Sequence, residues 1–513
     1  MDHDARFAHG VVATPHHLAS AVGAEVLAAG GNAMDAVIAA NLALGVVAPY
    51  FCGPGGDLFA IVWDGRLHGY LGAGRAPAGV TAATVASRHD GRMPFFGGDV
   101  VTVPGAVAGW FTLLERWGTR PFGDLAAGAH TLATEGFTVS AHGAREFATA
   151  RYWYRSMAPW RAQYGTVTAG TRFRQPASAR LLDRLATDGP DAFYRGPVAE
   201  AVAAAVAQAG GGLAPADLAA HAGDWTDPLV RPYRGTEIAE LPPPTQGVSV
   251  LEALAILDGL DLPADPVDRE HLLVEVVKIV LADRDAHVTD PDAMAFPATA
   301  LLDPGYVAGR RAMLDPLQAI DPPPGSPQRG GTAYLCAADA DGLLVSLIQS
   351  NFAGFGSGVF VPEWGINLHN RGASFSLDPT RANVFAPGKR PLHTLIPALA
   401  LRDGAPWTVF GTMGGDAQVQ IHVQLLARMI DDGVDPATAI AAPRWRVDPG
   451  TWWLHVEEPW VDAIGDGLRA RGHRVAAAPA RDSSMGHAHA IRLGPDGYHA
   501  GSDPRAEGAA RGR

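Results

Sequence analysis

Residues 321–331, Asp-Pro-Pro-Pro-Gly-Ser-Pro-Gln-Arg-Gly-Gly, constrain the fold more than any other segment. Four prolines, three glycines and no apolar anchor make this stretch a linker. The texture of the chain changes across it. Before it, helical patterns dominate: His17–Ala29, Ala33–Val47, Ala106–Trp117, Leu125–Glu135, Ser178–Asp188, Val198–Ala209, Gln246–Leu257 and His271–Arg284 are expected as helices. One strand, Leu58–Trp63, follows the turn Gly53-Pro54-Gly55-Gly56-Asp57. After the linker, Thr332–Ala338 and Leu343–Ser350 read as two strands around Asp339-Ala340-Asp341-Gly342, a hairpin signal. Further strands are expected at Ile396–Arg402, Trp407–Phe410 and Trp452–Val456, with helices at Ala417–Asp432 and Pro436–Ala441. The pattern predicts one layered α/β unit rather than three independent domains.

Composition removes several function classes. Of 513 residues, 47% are apolar and 18% charged, which excludes a mainly disordered, collagenous or coiled-coil chain. The net charge, 40 − 53 = −13, argues against nucleic acid or an anionic membrane as a partner. Cys52 and Cys336 are too few for a disulfide framework or a thiolate metal site. No secretory signal is visible at the N-terminus. The apolar run Ala36–Val47 falls short of the roughly 20 residues that span a bilayer. The expectation is a soluble, cytoplasmic protein acting on a small molecule, with no cofactor.

Two short constellations carry chemistry. In the first, Gly330-Gly331-Thr332, a threonine opens a strand directly after the linker. A threonine hydroxyl becomes a competent nucleophile beside a base, and a free α-amine on the same residue supplies one. That amine titrates near about 7.7–8.0, so part of it is neutral at cytoplasmic pH. Freeing it requires cutting the bond before Thr332, and the glycine pair lets the hydroxyl reach its own upstream carbonyl. A hairpin loop at Ala340-Asp341 sets Thr332 opposite Gln349; a loop at Asp341-Gly342 sets it opposite Asn351. Either register brings Ser350 close to Thr332. The second constellation, Thr412-Met413-Gly414-Gly415-Asp416, lies between a strand and a helix. Paired glycines there expose backbone N–H groups where the helix dipole is positive, as an oxyanion site requires.

Other clusters are less constrained. His487 and His489 share one face of a strand without an evident third ligand, and no metal is expected. Asp283, Asp285, Asp290 and Asp292 lack the glycine and closing glutamate of a Ca²⁺ loop. Tyr152-Trp153-Tyr154 and Trp160 are equally compatible with a pocket wall and with ordinary packing.

The chain resembles the γ-glutamyltransferase family of N-terminal-nucleophile hydrolases over nearly its whole length. The resemblance rests on residues 18–49, GPGGDLF (53–59), VPGAVAGW (103–110), GGTAYLCAADADGLLVSLIQSNFAGFGSGV (330–359), GKRPLHTLIPAL (388–399), GTMGGD (411–416), AAPRW (441–445) and GSDPR (501–505). It implies an αββα sandwich made as a proenzyme that cuts its own Gly331–Thr332 bond. The products would be a large subunit, 1–331, and a small subunit, 332–513, jointly forming one structural domain. The assembly would be a heterodimer, or a dimer of such heterodimers. The match makes Thr332 the nucleophile and its new amine the base. Ser350 stands where the family has a second threonine, and Gly414 and Gly415 supply the oxyanion hole.

The departures from the family pattern concern the glutamate head. Ala73 stands at the position of the carboxylate-binding arginine, with Arg75 two places on. The segment Asn370-Arg371-Gly372-Ala373-Ser374 lacks the acidic residue that grips the α-amine, and His393-Thr394 replaces a serine pair. Each missing charge-assisted contact is worth about 1.5–3 kcal/mol, which argues against glutathione as the preferred substrate. SNFAGFGSG and GKRPLHT are similar to the acylase and amidohydrolase branch, which includes cephalosporin-acylase-like proteins and oxamate-type amidohydrolases. The expected function is hydrolysis of an amide of a small non-γ-glutamyl substrate through an acyl-Thr332 intermediate, with Arg75, Arg371, His393, Thr394 and Asn351 as candidate substrate-binding residues. The alternatives are a genuine γ-glutamyltransferase, a C–C bond hydrolase of secondary metabolism, and an unprocessed, inactive binding homologue.

Overall fold

The computed structural model describes residues 4–322 and 331–513. Two seven-stranded antiparallel sheets organise the chain. The first runs Ala509–Gly512, Val11–Thr14, Gly331–Ala338, Leu344–Phe352, Asp57–Trp63, Leu67–Gly72, Asp224–Thr226. The second runs Asp4–Phe7, Gly497–Ser502, Ala488–Gly494, Ala405–Thr412, Ala398–Arg402, Thr236–Glu240, Leu229–Tyr233. Both sheets take strands from before residue 321 and from after residue 331, so neither stretch closes a sheet alone. The linker expected at 321–331 falls mostly outside the described residues.

Period-two alternation explains the layering. In Asp57–Trp63, Leu58, Ala60 and Val62 join a core beneath the helices Ala33–Val47, Ala106–Trp117 and Phe122–Glu135. Phe59 and Ile61, on the opposite face, join a second core between the sheets. Leu399, Leu401 and Val409 enter that inter-sheet core from the second sheet. Ala398, Ala400 and Phe410 face outward to the helices Gly247–Leu257, Pro266–His287 and Ala417–Leu426. The order is helices, sheet, sheet, helices.

Local sequence sets the element ends. Asn32 and Asp35 form a reciprocal capping box, at 2.9 and 3.1 Å, that starts Ala33–Val47. That helix is apolar nearly all round and accordingly buried. Among the described residues no helix is long and apolar enough to cross a membrane.

Of the boundaries that differ from the sequence expectation, three have a clear local cause. Over 333–338 the hairpin adopts neither expected register: Ala338 pairs with Leu344 and Ala333 with Gln349, leaving a loop over 339–343, while Gly331 pairs with Phe352 as the Asp341-Gly342 loop predicts. The Asp339 carboxylate causes this, accepting bonds from the amides of Asp341 (3.0 Å), Leu343 (3.1 Å) and Ala33 (2.8 Å), which hold open a wider turn. The helix expected over Ala417–Asp432 is α-helical only to Leu426 and continues as a π turn over 427–431, where Arg428 reaches the Pro443 carbonyl at 2.6 Å. The strand expected from Ile396 begins at Ala398, because the Ile396 amide bonds the Gln418 side chain instead.

Candidate active site

Thr332 lies in the second position of its strand, where the ladder with Leu344–Phe352 shifts between Gly331 and Ala333. Its even-numbered neighbours Tyr334 and Cys336 face the inter-sheet core, so Thr332 stands at one end of the space between the sheets. It is fully buried, and its hydroxyl lies 3.1 Å from that of Ser350. The Ser350 hydroxyl also accepts the Phe352 amide at 2.7 Å. Phe352 adopts φ +74, uncommon for a bulky residue, and its backbone pairs with Gly331.

The neighbouring strand adds a carboxyl group. Asp57 pairs with Ser350 in the ladder. Glycine is required beside it, because a Cβ on Gly56 would come within 2.4 Å of the Ser350 carbonyl oxygen. The Asp57 carboxyl accepts the Gly105 amide at 3.1 Å and the Gly74 amide at 3.4 Å, and meets His393 Nε2 at 3.0 Å. Burial pushes Asp57 up to about 7, although Arg371 and the two amides favour its charged form. Burial also holds His393 well below the usual imidazole range, with Arg371 acting in the same direction. The Asp57–His393 contact is therefore a hydrogen bond to a neutral imidazole rather than an ion pair.

Arg371 forms the third wall. It is buried, stacks with its guanidinium carbon 4.1 Å from the Phe352 ring centroid, and donates from Nη1 to Thr394 Oγ1 at 3.1 Å. Its Nε and Nη2 have no acceptor among the described residues. Burial lowers its pKa to about 9, opposed by Asp57 and Asp416, so it stays charged at neutral pH. Gln246 ties this wall to the glycine turn: its amide donates to the carbonyls of Thr394 (2.9 Å) and Gly415 (3.0 Å). Arg284 fixes Gln246 and Asp416, at 2.6 Å each.

Gly414 (φ +146) and Gly415 (φ +59) turn the chain from the strand Ala405–Thr412 into the helix Ala417–Leu426. Both φ values favour glycine. Their carbonyls accept the amides of Ala417 (3.0 Å) and Gln418 (3.1 Å), whereas their own amides have no acceptor among the described residues. Two free N–H groups at a helix N-terminus are the donor set an oxyanion needs.

The remaining expected residues lie around this centre. Gly331 is paired with Phe352. Asn351 points to the helical side of its strand, where its amide donates to the Pro49 carbonyl at 3.2 Å and it lines a cavity of about 30 Å³ with Cys52 and Trp110. Arg75 is half exposed and clamps the Gly388 carbonyl (3.0 Å) and Asp290 (3.5 Å). Tyr152 and Trp153 are exposed, while Tyr154 and Trp160 pack on Phe355, with the Tyr154 hydroxyl donating toward the carbonyls of Ala353 (3.1 Å) and Gly356 (3.0 Å). His487 meets the Ser483 hydroxyl at 2.9 Å, and its carbonyl accepts the Met413 amide at 3.0 Å. Asp283 pairs with Arg310 and Asp285 with Arg284, while Asp290 accepts the Arg390 amide at 2.8 Å, so these carboxylates are spent on the fold. Sequence reasoning assigned no role to Asp57, Gln246 or Phe352. For Asp57 a signal existed: an acid directly heading a wholly apolar strand run must be buried and therefore partnered.

A buried threonine at a strand start with a hydroxyl beside it, and a glycine turn with open amides at a helix N-terminus, are parts from which a nucleophilic acyl-transfer centre can be built in an α/β fold. Residues 19–512 match the γ-glutamyltranspeptidase family model, and the chain belongs to that family. It is 37% identical to the oxamate amidohydrolase proenzyme of Klebsiella pneumoniae and 36% identical to the glutathione hydrolase-like YwrD proenzyme of Bacillus subtilis, over 98% of each chain in both cases. The crystal structure of cephalosporin acylase from Bacillus halodurans superposes with a TM-score of 0.95 at 36% identity, covering 99% of this chain and 97% of that one. The chain is an enzyme of this group.

Proposed function

We propose that this protein is a self-processing amide hydrolase whose nucleophile is Thr332. The observation that carries the reading is the 3.1 Å contact between the Thr332 and Ser350 hydroxyls at the start of a strand that follows the Pro/Gly stretch. In maturation, the Thr332 hydroxyl adds to the Gly331 carbonyl, the C–N bond breaks, and water hydrolyses the resulting ester. This leaves a Gly331 carboxylate and a free Thr332 amine, and hence subunits 1–331 and 332–513 in one heterodimer. In turnover, the amine takes the hydroxyl proton as oxygen attacks the substrate carbonyl. The amides of Gly414 and Gly415 receive the oxyanion. The amine leaving group departs with the proton, and water then frees the acyl group. Several relatives are named as amidohydrolase, acylase or glutathione hydrolase proenzymes, which supports the class without selecting the substrate. Intact-mass measurement decides the reading: the wild type is expected as two fragments split at 331/332 with a trappable acyl adduct on Thr332, and Thr332→Ala as one full-length chain. Cutting at that bond in Thr332→Ala overturns the assignment. Brisk turnover of a glutathione analogue would instead make it a γ-glutamyl enzyme.

A further inference from the structure

We propose that this chain carries a second small-molecule site, remote from Thr332, which binds a free α-amino acid with an apolar or aromatic side chain. Arg428 holds the carboxylate of that ligand and Glu270 its ammonium group. The inference is independent of the amide-hydrolase reading.

The site is a cavity of about 270 Å³ among the helices that cover the second sheet. Pro266, Arg269, Glu270 and Leu273 recur at i, i+3, i+4 and i+7 of Pro266–His287 and so share one face of it. A face turned toward neighbouring helices is ordinarily apolar, yet two of these four residues carry charge. Ala427, Arg428 and Asp432 come from the helix that begins at Ala417 and its π continuation. There the Asp432 amide reaches back to the Ala427 carbonyl at 3.2 Å. Such turns recur at functional sites. Arg428 lies 428 − 417 = 11 residues along from Ala417, about 16 Å at 1.5 Å per residue. No residue lining the cavity is one of those grouped around Thr332 or the glycine turn.

The charges on the cavity do not all close on one another. Arg269 and Asp432 pair at 3.0 Å. Glu270, 6% exposed, accepts Trp445 Nε1 on Oε2, and its Oε1 has no partner among the described residues. Arg428 donates to the carbonyls of Ala439 (3.4 Å) and Pro443 (2.6 Å), and no carboxylate among the described residues pairs with it. Burial raises the Glu270 carboxyl and lowers the Arg428 guanidinium, and the charge of each opposes the shift of the other. One positive and one negative group thus line the same cavity, within reach of each other's field and without a bond between them. Both gain from a partner that this chain does not supply. A lone anion would be repelled by Glu270 and a lone cation by Arg428, whereas a zwitterion satisfies both. An α-amino acid carries its two charges on one carbon, as two acceptors so close together require. Leu273, Ala427 and the Trp460 ring, 5.5 Å from the Arg428 guanidinium carbon, offer an apolar surface for its side chain. The volume lies just below the usual range for ligand sites, about 300–1,000 Å³, so the cavity takes one small molecule rather than a peptide.

The test measures binding by calorimetry to the full-length protein, with no amide substrate present. The probes are L-phenylalanine, L-leucine and two analogues that each lack one charge, phenethylamine and 3-phenylpropionate. At least one of the amino acids is expected to bind at one site per chain. Both analogues should bind at least about tenfold more weakly than L-phenylalanine, since each forgoes a charge-assisted contact. Two variants place the site. Glu270→Gln keeps an oxygen for Trp445 and removes the charge, while Ala264→Trp, at an exposed position on the cavity wall, fills the space. Each is expected to weaken amino-acid binding at least about tenfold. Absence of binding by either amino acid overturns the inference, as do analogues that bind as well as L-phenylalanine. Binding that is unchanged in either variant overturns it too. Should Glu270→Gln fail to fold, Ala264→Trp decides the location alone.

Discussion

Two of the buried polar clusters among the described residues differ in whether their hydrogen bonds close on themselves. On the outer helical side, His271 and Glu275 of Pro266–His287 meet His473 in a geometry that would suit a metal ion. Their ligand atoms are already used. His271 Nδ1 meets His473 Nε2 at 2.7 Å, and His271 Nε2 meets the Asp315 carbonyl at 2.8 Å. Glu275 accepts Lys278 at 2.8 Å and the Ile320 amide at 2.7 Å. Burial, with the Lys278 charge beside it, drives His473 down to about 3, so the imidazole is neutral. The cluster holds residues 315–320 onto the helix layer and onto the strand-and-helix unit around His473. At the Thr332 end, by contrast, the Arg371 edge and the amides of Gly414 and Gly415 have no acceptor among the described residues. A buried polar cluster whose hydrogen bonds close on themselves is explained as structure; one whose donors remain open is a candidate for binding.

That contrast is most exposed to failure where the closed cluster is opened. Lys278→Ala leaves Glu275 buried without its counter-charge. It should cost about 3–5 kcal/mol of stability, measured by denaturant unfolding, while kcat/KM of the folded fraction stays unchanged. A fall in kcat/KM without a fall in stability would make the cluster part of the catalytic apparatus. Next in size is Gly415→Val. A β-branched side chain at φ +59 is strained, and it displaces the amide proposed to receive the oxyanion. kcat should fall about 10²–10³-fold with KM nearly constant. A rise in KM alone would move Gly415 from oxyanion binding to substrate binding.

A layered α/β unit was legible from the run of helical and strand patterns, and its layer order only through the family resemblance; in the structure Leu58-Phe59-Ala60-Ile61-Val62 divides between two cores at every residue. The threonine at the strand start, its hydroxyl neighbour and the glycine turn were legible as candidates for a local reason. Each is a residue type placed at the end of a strong element. What the sequence left open depends on side chains meeting across long separations. Asp57 and His393 are 336 residues apart, and Asp339 caps the helix at Ala33 from 306 residues away while also widening the hairpin. That second effect sets the register over 333–338 between the two expected ones, and the ladder shifts again at Thr332. No local pattern announces that a carboxylate will reach back across the chain.

Ser350→Ala probes the open cluster more gently. It removes one hydroxyl from Thr332 and from the Phe352 amide, so cleavage at 331/332 and turnover should both slow about tenfold. Ser350→Thr should restore most of both, since it returns the hydroxyl. If the alanine variant processes and turns over at the wild-type rate, the 3.1 Å contact is incidental.

The effect most specific to pH belongs to Asp57. Its carboxyl titrates near 7 in the folded chain and near 3.8 when unfolded. Between those values the folded state holds a proton that the unfolded state has lost. The contribution is therefore fully present below pH 3.8 and is lost as pH rises toward 7, with a slope of up to about 1.4 kcal/mol per pH unit. Asp57→Asn removes that slope, so the difference in stability between variant and wild type should grow in favour of the variant from pH 4 to pH 7. The amide preserves the contacts: its oxygen accepts from Gly105 and Gly74, and its NH2 replaces the carboxylic proton toward His393. This requires Nε2 of His393 to accept and Nδ1 to carry the proton. Nδ1 has no competing partner among the described residues, so the tautomer is free to change. A variant whose stability parallels the wild type across that interval would place the Asp57 charge in the folded state at all these pH values, and with it a paired rather than an open Arg371.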